Sequence, residues 1–164
     1  MNEYSFSPIQ QGDSTEIIKI FNYYISGSFA AYPEDTVPEA FFSLFIEQIR
    51  NYPSSAVRLP DGSIGGFGLL RAHNPMPVFR HTAEITYFIR PDLTGKGIGS
   101  RMLEHLEDEG RQRGITTILA SISSRNEGSI RFHARHGFTE CGRFVNVGKK
   151  KGLFFDTVWM QKFI

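Results

Sequence analysis

Three glycines within five residues constrain this chain more than any other feature, because they fall between a strand pattern and a helix pattern. The segment Thr94-Gly95-Lys96-Gly97-Ile98-Gly99-Ser100 follows strand-forming residues and opens an amphipathic run. Glycine adopts backbone dihedrals that other residues avoid, and the first turn of a helix exposes unpaired amides. Such a terminus favours an anion, to which Lys96 would add positive charge. The segment predicts a phosphate-binding loop, and the alternative is a tight turn that holds no ligand.

Two familiar phosphate loops do not fit this segment. A Walker loop requires Lys followed by Ser or Thr, whereas Lys96 is followed by Gly97. The dinucleotide fingerprint requires a third glycine, which would fall on Ser100 or on Met102, depending on the register. Neither ATP hydrolysis nor a Rossmann cofactor site is therefore predicted.

Composition restricts the class of protein. With 164 residues and 40% hydrophobic side chains, the chain is expected to form one domain over residues 1–164 without a metal or disulfide to stabilise it. A net charge of +1 gives no support to nucleic-acid binding. The single Cys141 cannot form an internal disulfide, which favours the reducing cytoplasm. Short apolar runs and the composition of Met1 to Gln11 predict neither a membrane span nor a signal peptide.

Hydrophobic periodicity predicts a mixed α/β fold. Helices are predicted from Asp13 to about Ile25, from Pro38 to before Pro53, from Ile98 to Gly110 or Gly114, and from Asn126 to His136. Strands are predicted at residues 56–59, 64–71, 82–90, 115–122, 138–147 and 153–163, the last two turning at Gly148 to Gly152. The strand, helix and strand between residues 82 and 122 predict a right-handed crossover that joins parallel strands.

A second motif gives the glycine segment a more specific meaning. The sequence Pro91-x-x-x-Gly95-Lys96-Gly97-Ile98-Gly99 is followed by Asn126-x-x-Ser129-Ile130-x-Phe132-His133-x-x-x-Gly137-Phe138. In this order and spacing the two motifs resemble the GCN5-related N-acetyltransferase (GNAT) family, closest to its phosphinothricin and methionine sulfoximine acetyltransferase branch. The resemblance extends to Asp156-x-x-x-Met160-Gln161. It implies an α/β (α+β) GNAT fold with a mixed central sheet of about six or seven strands, splayed at the acetyl-CoA site and flanked by about four helices.

The resemblance also implies where acetyl-CoA, the co-substrate, would bind. The pyrophosphate would lie on the glycine loop, and the pantetheine arm would pair with the main chain of the strand before it. The implied cofactor-binding residues are Tyr87, Phe88, Ile89, Thr94, Gly95, Lys96, Gly97, Ile98, Gly99, Ser100, Asn126 and Ser129. Family loops usually begin with Gln or Arg instead of Thr94, so weaker coenzyme A binding is expected.

Two residues are predicted to be catalytic. In the resembling branch an Ala-Glu pair supplies the general base, and Ala83-Glu84 matches it. His133 falls where many family members have a tyrosine that donates to the departing sulfur, and where this branch has histidine. The alternatives are a solvent-facing Glu84 and a His133 on a helix surface. His133 and His136 have helical spacing for a metal, but no cysteine or HExxH pattern accompanies them, so no metal is expected.

The acceptor is predicted to be a small amino acid or an analogue of one. The family builds its acceptor pocket from variable segments, and candidate substrate residues in those segments are Phe29, Tyr32, Lys150 and Phe154. Phe155 stands where the branch often has histidine, which removes a polar group from a phosphinothricin site. Acetylation of a protein amine and a non-catalytic acyl-CoA sensor remain alternatives. A homodimer is compatible with the branch, and Cys141 is expected to be a buried structural thiol.

Overall fold

The structure is a computed structural model that describes residues 4–164, so the first three residues of the predicted domain lie outside it. Within these residues seven strands form one sheet and four α-helices cover it. The strands are β1 (Ser5–Ser7), β2 (Ser54–Arg58), β3 (Ile64–Ala72), β4 (Thr82–Ile89), β5 (Thr117–Ser123), β6 (Thr139–Lys150) and β7 (Leu153–Phe163). The helices are α1 (Ser14–Gly27), α2 (Phe42–Gln48), α3 (Ile98–Gln112) and α4 (Glu127–Arg135). The predicted mixed fold with about four helices is confirmed.

The sheet has the strand order β1-β2-β3-β4-β5-β7-β6, and every neighbouring pair is antiparallel except β4 and β5. Those two parallel strands are joined through α3, as the strand, helix and strand pattern predicts. Arg90 continues from β4 and donates its main-chain N–H to Gly65 O at 2.8 Å. The glycine segment therefore begins directly beyond the end of β4.

Two apolar clusters hold the helices on opposite faces of the sheet. One contains Met102 and Leu106 of α3, packed with Ile118 of β5. The other contains Ile17 of α1 and Phe42 of α2. Burial of an apolar side chain of this size contributes about 1.5–3 kcal/mol, so each cluster stabilises the sheet from its own side.

The central sheet opens between its two parallel strands. The pairing of β4 with β5 ends at Glu84 and Leu119. Beyond that pair β4 follows β3 as far as Ile89, while β5 follows β7 as far as Ser123. The predicted splay is therefore confirmed, and it leaves facing strand edges that do not pair with each other.

Four local features differ from the sequence prediction. The short strand β1 was not predicted, since three residues give too little periodicity. The second helix is a 3₁₀ turn over Glu39–Phe41 followed by only seven residues of α2. The final ribbon turns at Lys151 and Gly152, both with positive φ, so β6 runs on to Lys150. Cys141 is exposed, and its prediction as a buried thiol is wrong because β6 lies at the sheet edge.

Among residues 4–164 no helix is both long enough and apolar enough to cross a membrane.

Candidate active site

A cleft of about 790 Å³ opens where β4 and β5 separate. Its walls come from the end of β4, the glycine segment, the end of β5 and the start of α4. The predicted site residues that line it are Tyr87, Phe88, Ile89, Thr94, Gly95, Gly97, Gly99, Ser100, Asn126, Ser129 and His133. Two separate sequence motifs thus meet at a single cavity.

The glycine segment forms the entrance to α3, and its conformation requires glycine at two positions. Gly95 has φ +74° and Gly97, the residue before the helix, has φ +80°. The first helical hydrogen bond runs from Arg101 N to Gly97 O at 3.2 Å, so the amides of residues 98–100 have no partner within the helix. These donors and the helix dipole suit an anionic group at the cleft.

Lys96 and Ile98 differ from their neighbours in this segment. Lys96 is exposed and does not line the cleft. Ile98 is only 4% exposed and packs in the core beneath α3. Thr94 uses its hydroxyl to donate to Pro91 O at 2.8 Å, which closes the turn before the glycines. Because the side chain of Ile98 is buried in the core, this residue can offer a ligand only its main chain.

The free edge of β4 gives the cleft a wall of main-chain groups. From Ile85 to Ile89 the strand pairs with β3 on one side and with no strand on the β5 side, where Ile89 O accepts from the Tyr24 hydroxyl at 2.6 Å. The side chains of Phe88 and Ile89 pack into the two apolar clusters, so it is their backbone that the cleft exposes. An unpaired strand edge can accept an extended ligand that carries amide groups. The loop and this edge together fit a diphosphate with an amide-bearing arm.

On the opposite wall, Asn126 precedes α4 as its N-terminal cap, and Ser129 lies in the first turn of that helix. The Asn126 Oδ1 accepts a 3.3 Å hydrogen bond from Ser129 N and caps this helix. Both residues line the cleft, although the carbonyl oxygen of the Asn126 side chain is already used by the cap. Asn126 thus combines a structural role with a position facing the cavity.

The half-buried Tyr87 and the buried His133 form an uncharged pair inside the cleft. The His133 Nδ1 lies 2.8 Å from Ser129 O, a carbonyl that can only accept, so Nδ1 carries the proton and donates. Nε2 then accepts from the Tyr87 hydroxyl at 2.7 Å. Desolvation lowers the pKa of His133 to about 4 and raises the pKa of Tyr87 well above its ordinary value. Near neutral pH both side chains are therefore uncharged.

Glu84 lies where β4 and β5 part, and it belongs to an ionic cluster. Its carboxylate accepts from Arg71 Nη2 at 2.6 Å and from His73 Nδ1 at 2.9 Å. The Glu84 side chain is 13% exposed, while those of Arg71 and His73 are about one third exposed. Glu84 does not line the 790 Å³ cleft, but the next residue, Ile85, does. The carboxylate is thus adjacent to the cleft and accessible to solvent through its partners.

An aromatic group lies on the same face of the sheet as Glu84. The Tyr32 ring stacks on Phe155 with centroids 5.7 Å apart, and Phe29 meets Phe155 edge-on at 5.9 Å. The Tyr32 hydroxyl is 3.0 Å from the hydroxyl of Ser121, which lines the cleft. Burial raises the pKa of Tyr32, with smaller effects from the charges of Arg71 and Glu84. The aromatic group formed by Phe29, Tyr32 and Phe155 therefore contacts the cleft through Tyr32. The same tyrosine lies near the charges of Arg71 and Glu84.

Two predicted substrate residues, Phe154 and Lys150, do not belong to this aromatic group. Phe154 is 55% exposed, and the Lys149 ammonium lies 5.2 Å from its ring centroid. Adjacent residues of a strand face opposite sides, so Phe155 occupies the aromatic group and Phe154 does not. Lys150 is only 1% exposed, although it lies in a run of three lysines.

The Lys150 ammonium binds main-chain carbonyl groups at the C-terminal end of α1 and in the loop that follows it. Its Nζ donates to Ile25 O at 2.7 Å, to Ser28 O at 2.8 Å and to Ala31 O at 2.7 Å. Burial lowers the pKa of this amine, and the charge of Lys151 lowers it further. Lys150 thereby fixes the loop that carries Phe29 and Tyr32.

Sequence reasoning missed the partners of Glu84 and the polar wall of β5. Arg71 and His73 are ordinary residues at the end of a hairpin strand, and nothing in their spacing marks them. Ser121 and Ser123 line the cleft, and a hydroxyl within an apolar strand is a signal that could have been used. Within residues 4–164 no group of three or more His, Cys, Asp or Glu side chains is arranged to hold a metal ion.

The chain matches the model of the acetyltransferase (GNAT) family over residues 17–138. It is 29% identical to the L-amino acid N-acyltransferase MnaT of Escherichia coli, an alignment covering 93% of this chain and 89% of the relative. It is 31% identical to an L-methionine sulfoximine/L-methionine sulfone acetyltransferase of Pseudomonas paraeruginosa, covering 91% and 88%.

A solved structure agrees with this assignment. The phosphinothricin acetyltransferase of Sinorhizobium meliloti in complex with AcCoA superimposes with a TM-score of 0.92 at 26% identity, covering 99% of this chain and 89% of that one. Sequence and architecture thus point the same way along almost the whole length, and the protein belongs to the acetyltransferase (GNAT) family.

Proposed function

We propose that this protein is an acetyl-CoA-dependent N-acetyltransferase that acts on the amino group of a small amino acid or amino-acid analogue, by direct transfer within a ternary complex. The observation that carries the proposal is the position of Glu84, a carboxylate at the point where β4 and β5 part. Similarity to enzymes named for L-amino acids and methionine sulfone supports the class of acceptor.

The loop and the free strand edge would hold acetyl-CoA. When bound, this co-substrate supplies an acetyl group activated as a thioester. The unpaired amides of Gly99 and Ser100 and the left-handed Gly95 and Gly97 support a site for its pyrophosphate. The main chain of Tyr87 to Ile89 supports a site for the amide-bearing arm, and the N–H of Ile89, which points away from β3, is our candidate donor to the oxyanion.

Glu84 is our candidate general base. An α-amine enters largely as an ammonium ion, and it must lose a proton before its lone pair can attack the thioester carbonyl. Glu84 accepts that proton directly or through water and passes it to solvent. The new C–N bond forms, the nitrogen loses its second proton by the same route, and the C–S bond breaks to give the amide and the coenzyme A thiolate. The partial exposure of Arg71 and His73 supports this role, because the proton can then pass from Glu84 to solvent.

Tyr87 is our candidate donor to the departing sulfur, and His133 is a positioning residue that orients the Tyr87 hydroxyl. A neutral His133 whose Nε2 accepts from Tyr87 has no proton to give at that nitrogen. Because the pKa of Tyr87 is raised well above its ordinary value, its hydroxyl stays protonated. As the sulfur departs, this O–H turns from His133 Nε2 and donates its hydrogen bond to the thiolate instead. The thiolate then takes its proton from solvent.

A panel of free amino acids and analogues, assayed with acetyl-CoA by thiol release, tests the proposed function. We expect turnover of small α-amino acids, with L-methionine sulfone and L-methionine sulfoximine among the best. Calorimetric titration with coenzyme A runs in parallel. Tight coenzyme A binding without turnover of any small amine would favour a protein acceptor or a sensor and would contradict the proposal.

We further propose that residues 1–164 act as one domain and that the protein is a cytoplasmic homodimer. Support for a dimer comes from apolar side chains exposed on the last two strands, namely Phe144, Val145, Val147, Leu153, Phe154 and Phe163. Exposed apolar groups concentrated in this way are typical of an interface. Light scattering tests this, with a mass near twice the 18.6 kDa of one chain expected and a monomer for Phe144→Asp.

A further inference from the structure

Ser100, which lines the cleft in the first turn of α3, forms a hydrogen bond with His136 at the C-terminal end of α4. The Ser100 Oγ lies 2.9 Å from His136 Nε2. The other ring nitrogen, Nδ1, lies 2.8 Å from Phe132 O, a carbonyl that can only accept. Nδ1 therefore carries a proton and donates it, and in the neutral ring Nε2 is an acceptor. The Ser100 hydroxyl must then direct its one hydrogen toward His136.

This direction of the Ser100 hydroxyl is unfavourable for an anion in the cleft. Phosphate oxygens are strong hydrogen-bond acceptors, and a hydroxyl has a single hydrogen to offer. While that hydrogen points to Nε2, the hydroxyl presents only lone pairs to a diphosphate on the glycine loop. If it turns to the diphosphate, Oγ and a neutral Nε2 become two acceptors 2.9 Å apart with no hydrogen between them. A second proton on the imidazole removes this conflict, because both nitrogens of a charged histidine donate.

The surroundings of His136 suit a positive charge. His136 is the C-terminal cap of α4, where the helix dipole is negative. Its ring stacks on Phe132 with centroids 4.2 Å apart, and the face of an aromatic ring attracts a cation. The side chain is only half-buried, so a proton can reach it from solvent. An anion bound beside Ser100 would add to this stabilisation.

The charged groups around His136 come from three elements. On β7, Lys162 lies against the residue that follows His136, but its ammonium donates to Glu107 at 2.6 Å. On α3, Arg101 and Glu104 follow Ser100 and are exposed to solvent. On α4, the charge of His136 acts on His133, whose pKa of about 4 keeps it neutral. These neighbours leave His136 free to gain a proton near neutral pH.

The titratable side chains that line the cleft itself keep their charge between about pH 6 and pH 8, the range in which an ordinary histidine titrates. Burial raises the pKa of both Tyr24 and Tyr87 from the ordinary value of 10.0. His133 titrates well below this range, and the arginine that lines the cleft, Arg135, stays charged throughout. A proton taken up on ligand binding in this range therefore points to His136, one hydrogen bond behind the cleft wall.

We propose that His136 is a positioning residue for the co-substrate, which takes up one proton when the diphosphate binds so that Ser100 can donate to the ligand. The inference rests on the proposed function, because it takes the diphosphate of acetyl-CoA as the anion on the loop. Solvent supplies the proton to Nε2, Nε2–H donates to Ser100 Oγ, and the Ser100 O–H donates to a phosphate oxygen. Since linkage is reciprocal, a lower pH must strengthen binding of the diphosphate.

Calorimetric titration of the wild-type protein with acetyl-dephospho-coenzyme A tests this coupling. The ligand keeps the diphosphate but has no free thiol and no 3′-phosphate, a monoester that itself takes up a proton near pH 6. Binding heats measured in buffers of different ionisation enthalpy give the number of protons taken up. We expect uptake of up to one proton, and an affinity about 5- to 10-fold higher at about pH 6 than at about pH 8.

Two variants assign the proton to its group. His136→Gln can donate a hydrogen bond to Ser100 without gaining charge, and Ser100→Ala removes the hydroxyl that links His136 to the cleft. Both should bind the ligand without proton uptake, and their affinity should change less than about twofold over the same pH range. His105→Gln, on α3 outside the cleft and paired with Glu109 at 3.3 Å, is the matched control. It should keep the proton uptake and the pH dependence of the wild type.

The outcomes separate this inference from the proposed function. Loss of proton uptake in His136→Gln and Ser100→Ala, but not in His105→Gln, supports the inference. Binding by the wild type without proton uptake overturns it and leaves the proposed function intact, because the loop amides then hold the diphosphate without Ser100. Uptake that persists in His136→Gln assigns the proton to another group and also overturns it. If the wild type does not bind acetyl-CoA at all, both proposals fail.

Discussion

Glu84 and Tyr87 are only three residues apart on β4, but they project to opposite faces of the sheet. Glu84 has charged neighbours, whereas Tyr87 has an uncharged partner. Glu84 is partly accessible and surrounded by charge, with Arg71 and His73 on its carboxylate. Tyr87 is paired with the neutral, buried His133. A group that exchanges protons with solvent needs access to water, whereas a group that must stay protonated is best held in an apolar environment. One strand thus supplies two kinds of acid-base behaviour.

The largest effect is expected on the ionic face. Glu84→Gln keeps the size of the side chain and can still accept a hydrogen bond from Arg71, but it cannot take up a proton. We expect kcat to fall about 10²- to 10⁴-fold with coenzyme A affinity unchanged. Tyr87→Phe, on the other face, should lower kcat by only about tenfold, since it removes one hydrogen bond to the sulfur. Thiol-release kinetics measure kcat of both variants, and calorimetry measures their affinity for coenzyme A. A loss of kcat in Glu84→Gln smaller than the loss in Tyr87→Phe would contradict the assignment of Glu84 as the base and Tyr87 as the donor.

Lys150 shows what a fully buried charge requires. Lys150→Met would leave three main-chain carbonyls without their donor, and we expect a loss of about 3–5 kcal/mol in the free energy of unfolding. The matched control is Lys149→Met at the adjacent exposed position, expected to stay within about 0.5 kcal/mol. Urea denaturation measures the difference. Similar stability of the two variants would mean that water replaces the Lys150 ammonium.

The neutral pair predicts a dependence of stability on pH. His133 has an ordinary pKa of 6.5 and a folded value of about 4, so between these values the unfolded chain binds more protons. The stability that comes from keeping His133 neutral is complete above pH 6.5 and is lost as the pH falls toward 4, by about 3 kcal/mol. Denaturant unfolding across this window should show the loss. His133→Asn should lose that part of the slope, whereas the exposed His81→Asn should keep it.

The smallest effect is expected at the glycine loop. Gly97→Ala places a side chain at φ +80°, which costs about 1–2 kcal/mol, and it should weaken coenzyme A binding about tenfold. Gly114 has nearly the same φ, +79°, and lies outside the cleft. Gly114→Ala should therefore cost similar stability without changing affinity. Equal affinity of the two variants would indicate that the loop does not bind the co-substrate.

Much of the fold was accessible from the sequence because the elements are long and periodic. The β4, α3 and β5 unit and the α4 motif were predicted in type and order, and the family resemblance is confirmed. The sequence-based predictions that were wrong fall where local signals are weak or are outweighed by tertiary contacts. The strand β1 is too short to show alternation, and Lys150 is charged in a stretch of three lysines yet is buried by contacts with α1.

The sequence by itself determined the glycine loop before α3, the acidic residue on β4 and the histidine on α4, because the dihedral preference of glycine and hydrophobic periodicity are local properties. Only the tertiary structure decided which side chains these residues meet. Arg71 reaches Glu84 through the register of two strands, and His133 reaches Tyr87 because α4 packs against β5 on the other side of the cleft. Register and packing depend on residues distant in the chain, and these contacts set the charge of each group at the site.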